Sequence, residues 1–156
     1  MRNTLITIFF LLILLHYCQR LSAQFIYFGI PEDITEVKGS DIIIINGIEM
    51  KDTLFSNNGK TQIEELNNLL LDLSDYNIEI EVYTFKSSEE KINNKISESI
   101  ANNIWLHLTE LNNSINDYVT ITPRGNSKPL LEKEKAENYY YYYWINNRLE
   151  IIVKEK

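Results

Sequence analysis

Residues 77–84 (Asn-Ile-Glu-Ile-Glu-Val-Tyr-Thr) alternate in polarity without a break and stand between two segments whose apolar residues recur at intervals of three and four. A period of two belongs to a strand with one covered face, so Ile78, Ile80 and Val82 face a core while Glu79, Glu81 and Tyr83 face away from it. Before the strand, Ile63, Leu66, Leu69, Leu70 and Leu73 form the stripe of an amphipathic helix. The pattern predicts that this helix starts at Thr61, after a break at Asn57-Asn58-Gly59, and ends near Ser74-Asp75. After the strand, Ile92, Ile96, Ile100, Ile104, Leu108 and Leu111 make the seam of a longer helix. Ser87 or Ser88 supplies its N-cap, Glu89-Glu90 suit the positive end of its dipole, and Asn112-Asn113 close it.

Further strands must complete the sheet. The β-branched run at residues 41–45 reads as a buried strand, continued past the turn or bulge signal Asn46-Gly47 through Ile48 and Met50. Residues 118–122 form a third strand with Val119 and Ile121 inward, followed by a turn at Pro123-Arg124-Gly125-Asn126. Residues 149–153 form the last strand. Residues 24–40, with Gly29, Pro31 and Gly39, read as an extended lead or a first edge strand, and residues 130–138 as a short helix or a solvated loop. The order β-α-β-α-β-β predicts an α+β two-layer sandwich, a small mixed sheet with helices on one face, as one domain over residues 41–156.

The five tyrosines 139–143 and Trp144 would cover both faces of a strand. They read either as a loop-to-strand segment with rings half inward or as an adhesive patch for a protein, a glycan or a membrane headgroup surface. Paired asparagines at 57–58, 67–68, 93–94, 102–103, 112–113 and 146–147 are assigned no chemistry.

Residues 1–23 have the layout of a secretory signal peptide. Arg2 gives a positive start, residues 6–15 are almost wholly apolar, and Leu21-Ser22-Ala23 ends in small residues, so cleavage is expected after Ala23. A retained anchor and lipidation of Cys18 are the alternatives. With the leader removed, the chain loses its one cysteine, His16 and two arginines but no acid, leaving it two units more negative than its formal −7. This composition argues against nucleic-acid binding, Cys/His metal clusters and thiol chemistry. His107, within Ile104-Trp105-Leu106-His107-Leu108, reads as a helix-packed side chain. Exposed acids such as Glu79, Glu81, Glu89 and Glu90 read as solvated charge, so no enzyme and no cofactor is expected. The strands read here are too few to close a transmembrane barrel, and any membrane contact would come through a partner or a retained anchor.

Several strings resemble a known family, the C-terminal domain of OmpA-like, peptidoglycan-associated proteins. Val82-Tyr83-Thr84-Phe85 is similar to the strand end that precedes the family's Thr-Asp turn. Asn93-Asn94-Lys95-Ile96-Ser97-Glu98-Ser99-Ile100-Ala101 is similar to its Asn-x-x-Leu-Ser-x-x-Arg-Ala helix. Arg124-Gly125-Asn126-Ser127-Lys128-Pro129 resembles a shortened form of its Gly-containing loop, and Asn146-Asn147-Arg148-Leu149-Glu150-Ile151 its terminal strand. The resemblance spans residues 41–154, in the family's order.

In such domains an acid and an arginine hold the diaminopimelate of the peptidoglycan stem, a carboxylate for its ammonium and a guanidinium fork for its carboxylate. Here those positions hold Phe85 and Ile100, which can form neither bond. Asn93, Ser97 and Arg148 match retained polar positions and are the expected ligand-binding residues. The resemblance implies an exported, non-catalytic protein of the periplasm or outer-membrane periphery of a Gram-negative bacterium. Its partner would be peptidoglycan, bound weakly or not at all, or another envelope protein. The alternative is a degenerate fold that has lost diaminopimelate binding and serves only protein–protein interaction.

Overall fold

The computed structural model of the protein describes residues 25–31, 33–48, 50–51, 54–133 and 138–156. The expected signal peptide, Ala23 and Cys18 lie outside the described residues. Five strands form one sheet in the order β1-β2-β7-β5-β6. They are Ile26–Phe28 (β1), Ile42–Asn46 (β2), Asn77–Tyr83 (β5), Val119–Gly125 (β6) and Arg148–Lys154 (β7). β1 runs parallel to β2 and β5 parallel to β6, while β7 lies antiparallel between β2 and β5. The sheet is mixed, as expected, and the lead segment supplies its edge strand.

Two long helices, Asn57–Asp72 (α1) and Glu90–Leu111 (α2), pack on the same face. Register sets that face. Ile43 pairs with Ile151, Ile151 with Ile80 and Ile80 with Ile121, so one row of β-branched side chains crosses four strands. Ile63, Leu66 and Leu70 of α1 and Ile104 and Leu108 of α2 close over it. Burial of each such side chain contributes about 1.5–3 kcal/mol. The lead is tied down by Asp41, whose carboxylate accepts from the backbone N–H of Phe25 (3.0 Å) and of Lys38 (2.9 Å). Among the described residues no helix is long and apolar enough to cross a membrane.

The structure corrects several local expectations. β2 stops at Asn46 because Gly47 turns the chain at φ +73°, and Met50–Lys51 (β3) pairs with Leu54–Phe55 (β4) in a separate hairpin. Asn57-Asn58-Gly59 is the first turn of α1 rather than a break before it. Ser56 caps that turn by accepting from Gly59 N–H at 3.1 Å, and first-turn N–H groups have no intrahelical acceptor to lose. The seam of α2 runs through Asn93, Ser97, Ile100, Ala101, Ile104 and Leu108, leaving Ile92 and Leu111 exposed. Neither Ser87 nor Ser88 caps α2, since Glu89 holds the N-cap position without a side-chain bond. The expected turn at 123–126 is largely strand, with a bulge in the pairing that accommodates Pro123 on the edge strand. The tyrosine run is a helix, Tyr139–Asn146 (α3), inserted before β7.

Candidate functional site

The outward face of β5 is polar in sequence, yet Glu81 and Tyr83 are buried. Arg124 of β6 donates from Nε to Glu81 at 2.7 Å and also pairs with Glu79, which takes a second cation from Lys154. That Lys154 hydrogen bond, reinforced by Thr122 and Arg124, holds the Glu79 carboxyl below its ordinary value. Tyr83 donates its hydroxyl to Glu81, and Arg148 lies over its ring. Burial, then the bond to Glu81, pushes the Tyr83 phenol far above its usual range. The half-covered strand is therefore covered on both faces towards its C-terminal end, the second time by paired charges.

Three asparagines fix α3 beyond that end. Asn146 Oδ1 accepts from the N–H groups of Leu130 and Leu131, and its Nδ2 donates to the carbonyls of Leu131 and Tyr142. Asn147 accepts from Phe85 N–H at 2.7 Å and donates to Tyr143 O at 2.6 Å. Asn46, the last residue of β2, donates to Ile145 O at 3.0 Å. Asn138 caps the helix start by accepting from Tyr141 N–H at 2.8 Å. One of the asparagine pairs assigned no chemistry in the sequence, 146–147, thus positions the aromatic helix together with Asn46 and Asn138.

Between α3 and the sheet end lies a cleft of about 490 Å³. Ile45, Val82, Ile100 and Leu149 form its apolar floor, and Tyr140, Tyr143 and Trp144 its roof. Thr84, Lys86, Asn147 and, from the start of α1, Ser56 also line it, with the Thr84 hydroxyl bonded to Asn93 O, the Asn147 amide to Phe85 N–H and Tyr143 O, and Ser56 Oγ to Gly59 N–H. Among the described residues no carboxylate-bearing residue lines the cleft, and the lining residues of charged type are Lys86, which is exposed, and Arg148, whose guanidinium is buried in internal bonds. Tyr140 is 80% and Trp144 47% exposed, so the roof also presents rings to solvent.

The expected site residues divide around this cleft. Ile100, at the family's arginine position, lines it while belonging to the core at 8% exposure. Phe85, at the acid position, is 3% exposed and turned into the protein, its ring edge-on to Tyr142 at 6.0 Å between centroids. Its neighbours Thr84 and Lys86 line the cleft instead. Asn93 is fully buried beneath the β5–α2 turn. It accepts from Lys86 and Ser87 N–H at 2.9 and 3.0 Å and donates to Ser87 O at 2.8 Å. Ser97 is equally buried, accepting from Gly125 N–H at 3.0 Å and donating to Asn94 O.

Arg148 donates to Glu150, to Asn146 O and to Lys128 O, while its planar group stacks on Tyr83. All three retained polar residues thus form internal hydrogen bonds that shape the turn and the sheet end. His107 does not point into the core as expected but lies partly exposed beside Glu110 at 3.4 Å, away from the cleft lining. Among the described residues no group of three or more His, Cys, Asp and Glu is placed to hold a metal.

Sequence reasoning offers Tyr140 and Trp144 as an adhesive patch but does not bring them and Lys86 together in one cleft. The signal for them was Asn138 followed eight residues later by Asn146, an N-cap and a helix-length interval around the aromatic run.

Comparison with protein-family models and with curated protein sequences gives no match. Solved structures do match. The periplasmic domain of Helicobacter pylori MotB aligns at a TM-score of 0.61 and 14% identity, over 78% of this chain and 80% of that one. The cell wall anchor of the T6SS from Pseudomonas aeruginosa aligns at 0.58 and 15%, over 74% and 81%. The peptidoglycan-associated lipoprotein from Burkholderia pseudomallei aligns at 0.54 and 12%, over 71% and 89%. The chain has the fold of these domains, and the OmpA-like resemblance holds at that level.

Proposed function

We propose that the protein is a non-catalytic module of the cell envelope. In this reading it is exported to the periplasm or the outer-membrane periphery of a Gram-negative bacterium, where the cleft at the sheet end contacts peptidoglycan or an envelope protein. One observation carries the proposal. The mouth of the cleft is built from the β5–α2 turn and Ile100, the elements to which the family resemblance assigns ligand contact, and it stands open under an aromatic roof. The names of the structural neighbours, a periplasmic domain, a cell wall anchor and a peptidoglycan-associated lipoprotein, support the setting. Asn93, Ser97 and Arg148 serve this site from behind by fixing its turn and its end wall.

A zwitterion clamp needs a carboxylate and a guanidinium facing the ligand. Phe85 and Ile100 provide neither, and each missing bond to a charged group forfeits about 1.5–3 kcal/mol. Wall contact of ordinary strength would therefore depend on Lys86 and the aromatic roof. Co-sedimentation of the purified protein with insoluble peptidoglycan sacculi tests this. Sedimentation weakened by Lys86→Glu and by Trp144→Ala supports wall contact, whereas sedimentation no greater than that of a non-binding control protein removes peptidoglycan from the proposal.

The exposure of Tyr140 and Trp144 supports a second reading, in which the roof meets another envelope protein directly. Crosslinking from Tyr140 in cells, followed by identification of the product, distinguishes the two.

A further inference from the structure

The two edges of the sheet are finished differently. β6, at one edge, is blunted by Pro123, by the bulge beside it and by Arg124, devices that keep an edge from pairing with another chain. β1, at the other edge, has none of them. Residues 21–30 hold no charge and no proline, and Phe25, Ile26, Phe28 and Ile30 are 54, 55, 73 and 46% exposed. None of these four residues lines the cleft. Towards β2, Phe25 O accepts from Ile42 N–H at 3.0 Å and Gly29 N–H donates to Ile44 O at 2.8 Å. Backbone groups alternate in direction along a strand, so the N–H and C=O of Ile26 and of Phe28 face the open side. Among the described residues no strand pairs there.

We propose that two copies of this chain pair antiparallel along the open edge of β1, about a two-fold axis at Tyr27. In that register Ile26 of each copy exchanges N–H···O bonds with Phe28 of the other, which satisfies the outward groups of both strands. The side chains also match. Ile26 stands opposite Phe28, a β-branched residue against an aromatic one. Phe25 stands opposite Gly29, where a Cβ would meet nothing within 4 Å, so the ring has room. A second copy is the occupant that this edge selects. It brings an uncharged strand to an uncharged strand, although the whole chain carries a formal charge of −7 and repels itself elsewhere. The joined sheet then ends in β6 on both sides, the blunted edge, so assembly closes at two. At about 200 Å² for a whole large side chain, the four exposed residues present about 400 Å² per copy. That is half of the roughly 800 Å² that each partner of a standard interface buries, so the dimer is weak and forms with concentration.

Sedimentation velocity of the purified protein from about 1 to about 300 μM tests this, a range that spans weak association. The weight-average mass should rise with concentration from one copy towards two and no further. Phe28→Lys puts a charge on the edge at an exposed position and should hold the protein at one copy. Leu106→Lys, a comparably exposed change on α2, should leave the rise unaltered. Cysteines read the register. In a Cys18→Ser background, Tyr27→Cys should form an intermolecular disulfide under mild oxidation and Phe28→Cys should not. Cα atoms facing each other at the axis lie about 4.5 Å apart, whereas Phe28 and its copy are offset by about 6.8 Å along the strands and lie out of reach. Variants are compared only where their circular dichroism melts match the native protein's. One copy at every concentration overturns the proposal, as does growth beyond two or a rise that survives Phe28→Lys. Equal crosslinking from both cysteines also overturns it. A constant mass together with flotation on phosphatidylethanolamine–phosphatidylglycerol vesicles that Phe28→Lys abolishes would overturn it and assign the edge to a lipid surface.

Discussion

The guanidinium carbon of Arg148 lies 3.9 Å from the centre of the Tyr83 ring, and the two residues are register partners on adjacent antiparallel strands. Tyr83 also donates to Glu81, and Arg148 to Glu150, so the contact links the Glu81 carboxylate to the Arg148–Glu150 ion pair across β5 and β7. A position that the family resemblance marks for ligand binding is here a structural joint.

Arg148→Ala should therefore unfold the protein more readily before it reveals anything about binding. Removing one partner of a buried charge pair costs about 3–5 kcal/mol, because the remaining charge is left uncompensated. Urea denaturation should show the midpoint falling with an unchanged slope. Arg148→Lys should recover only part of the loss, since an ammonium cannot reproduce both the fork of donors and the stacking.

Tyr83 gives the fold an alkaline limit. Its folded-state pKa is raised, so the folded state holds the phenol proton that the unfolded chain releases above about pH 10. The contribution is constant below that value, and above it stability should fall by about 1.4 kcal/mol per pH unit from this residue. Stability curves from pH 8 to 11 should steepen above pH 10 in the native protein and less so in Tyr83→Phe. Matching slopes would show that Tyr83 is solvated in the folded state.

Asn93 holds the turn that carries Lys86. Asn93→Ala deletes three hydrogen bonds to buried or half-buried backbone, and a loss of about 2–4 kcal/mol is expected at about 1 kcal/mol per bond plus the penalty for stranded groups. Amide hydrogen exchange should accelerate first at Lys86 and Ser87. Asn93→Asp should not rescue the turn, because a carboxylate cannot donate to Ser87 O.

Gly125 reports on the closeness of β6 to α2. At φ +54° it occupies a conformation disfavoured for other residues, and a Cβ there would collide with the Asn94 side chain and crowd its backbone N at 3.2 Å. Gly125→Ala should lower stability by about 1–3 kcal/mol by forcing the helix and strand apart. A melting temperature equal to that of the native protein would contradict this close approach.

Restoring the family clamp should succeed at one position and fail at the other. Ile100→Arg can extend its guanidinium into the cleft, so the variant should stay folded. Phe85→Asp buries an acid where a ring packed on Tyr142 and removes an apolar anchor, a loss of about 3–5 kcal/mol. Circular dichroism melts of both single variants check the asymmetry.

β5 and both long helices were legible because each carries a periodicity that burial imposes on sequence. Less legible was whatever side-chain amides decide. Ser56 and Gly59 make a capped helix start out of a segment that reads as a break, and Asn93 draws the α2 seam towards a polar turn that no apolar period registers. The tyrosine run was ambiguous because aromatic residues favour strands by local propensity, whereas here Asn138, Asn146 and Asn147 set a helix. Phe85 and Ile100 were located through the resemblance, but the cleft beside them needs a roof that only the fold brings near.

The anchors of α3 at Asn46, Asn146 and Asn147 are neutral amides. Such bonds carry no net charge for salt to screen and no proton to titrate, unlike an ion pair at the same place. The seating of the aromatic roof should therefore persist through swings of ionic strength and acidity that would weaken any contact made by Lys86. Architecture and adhesion are in this way separated, so that a change of surroundings can release what is held without deforming the holder.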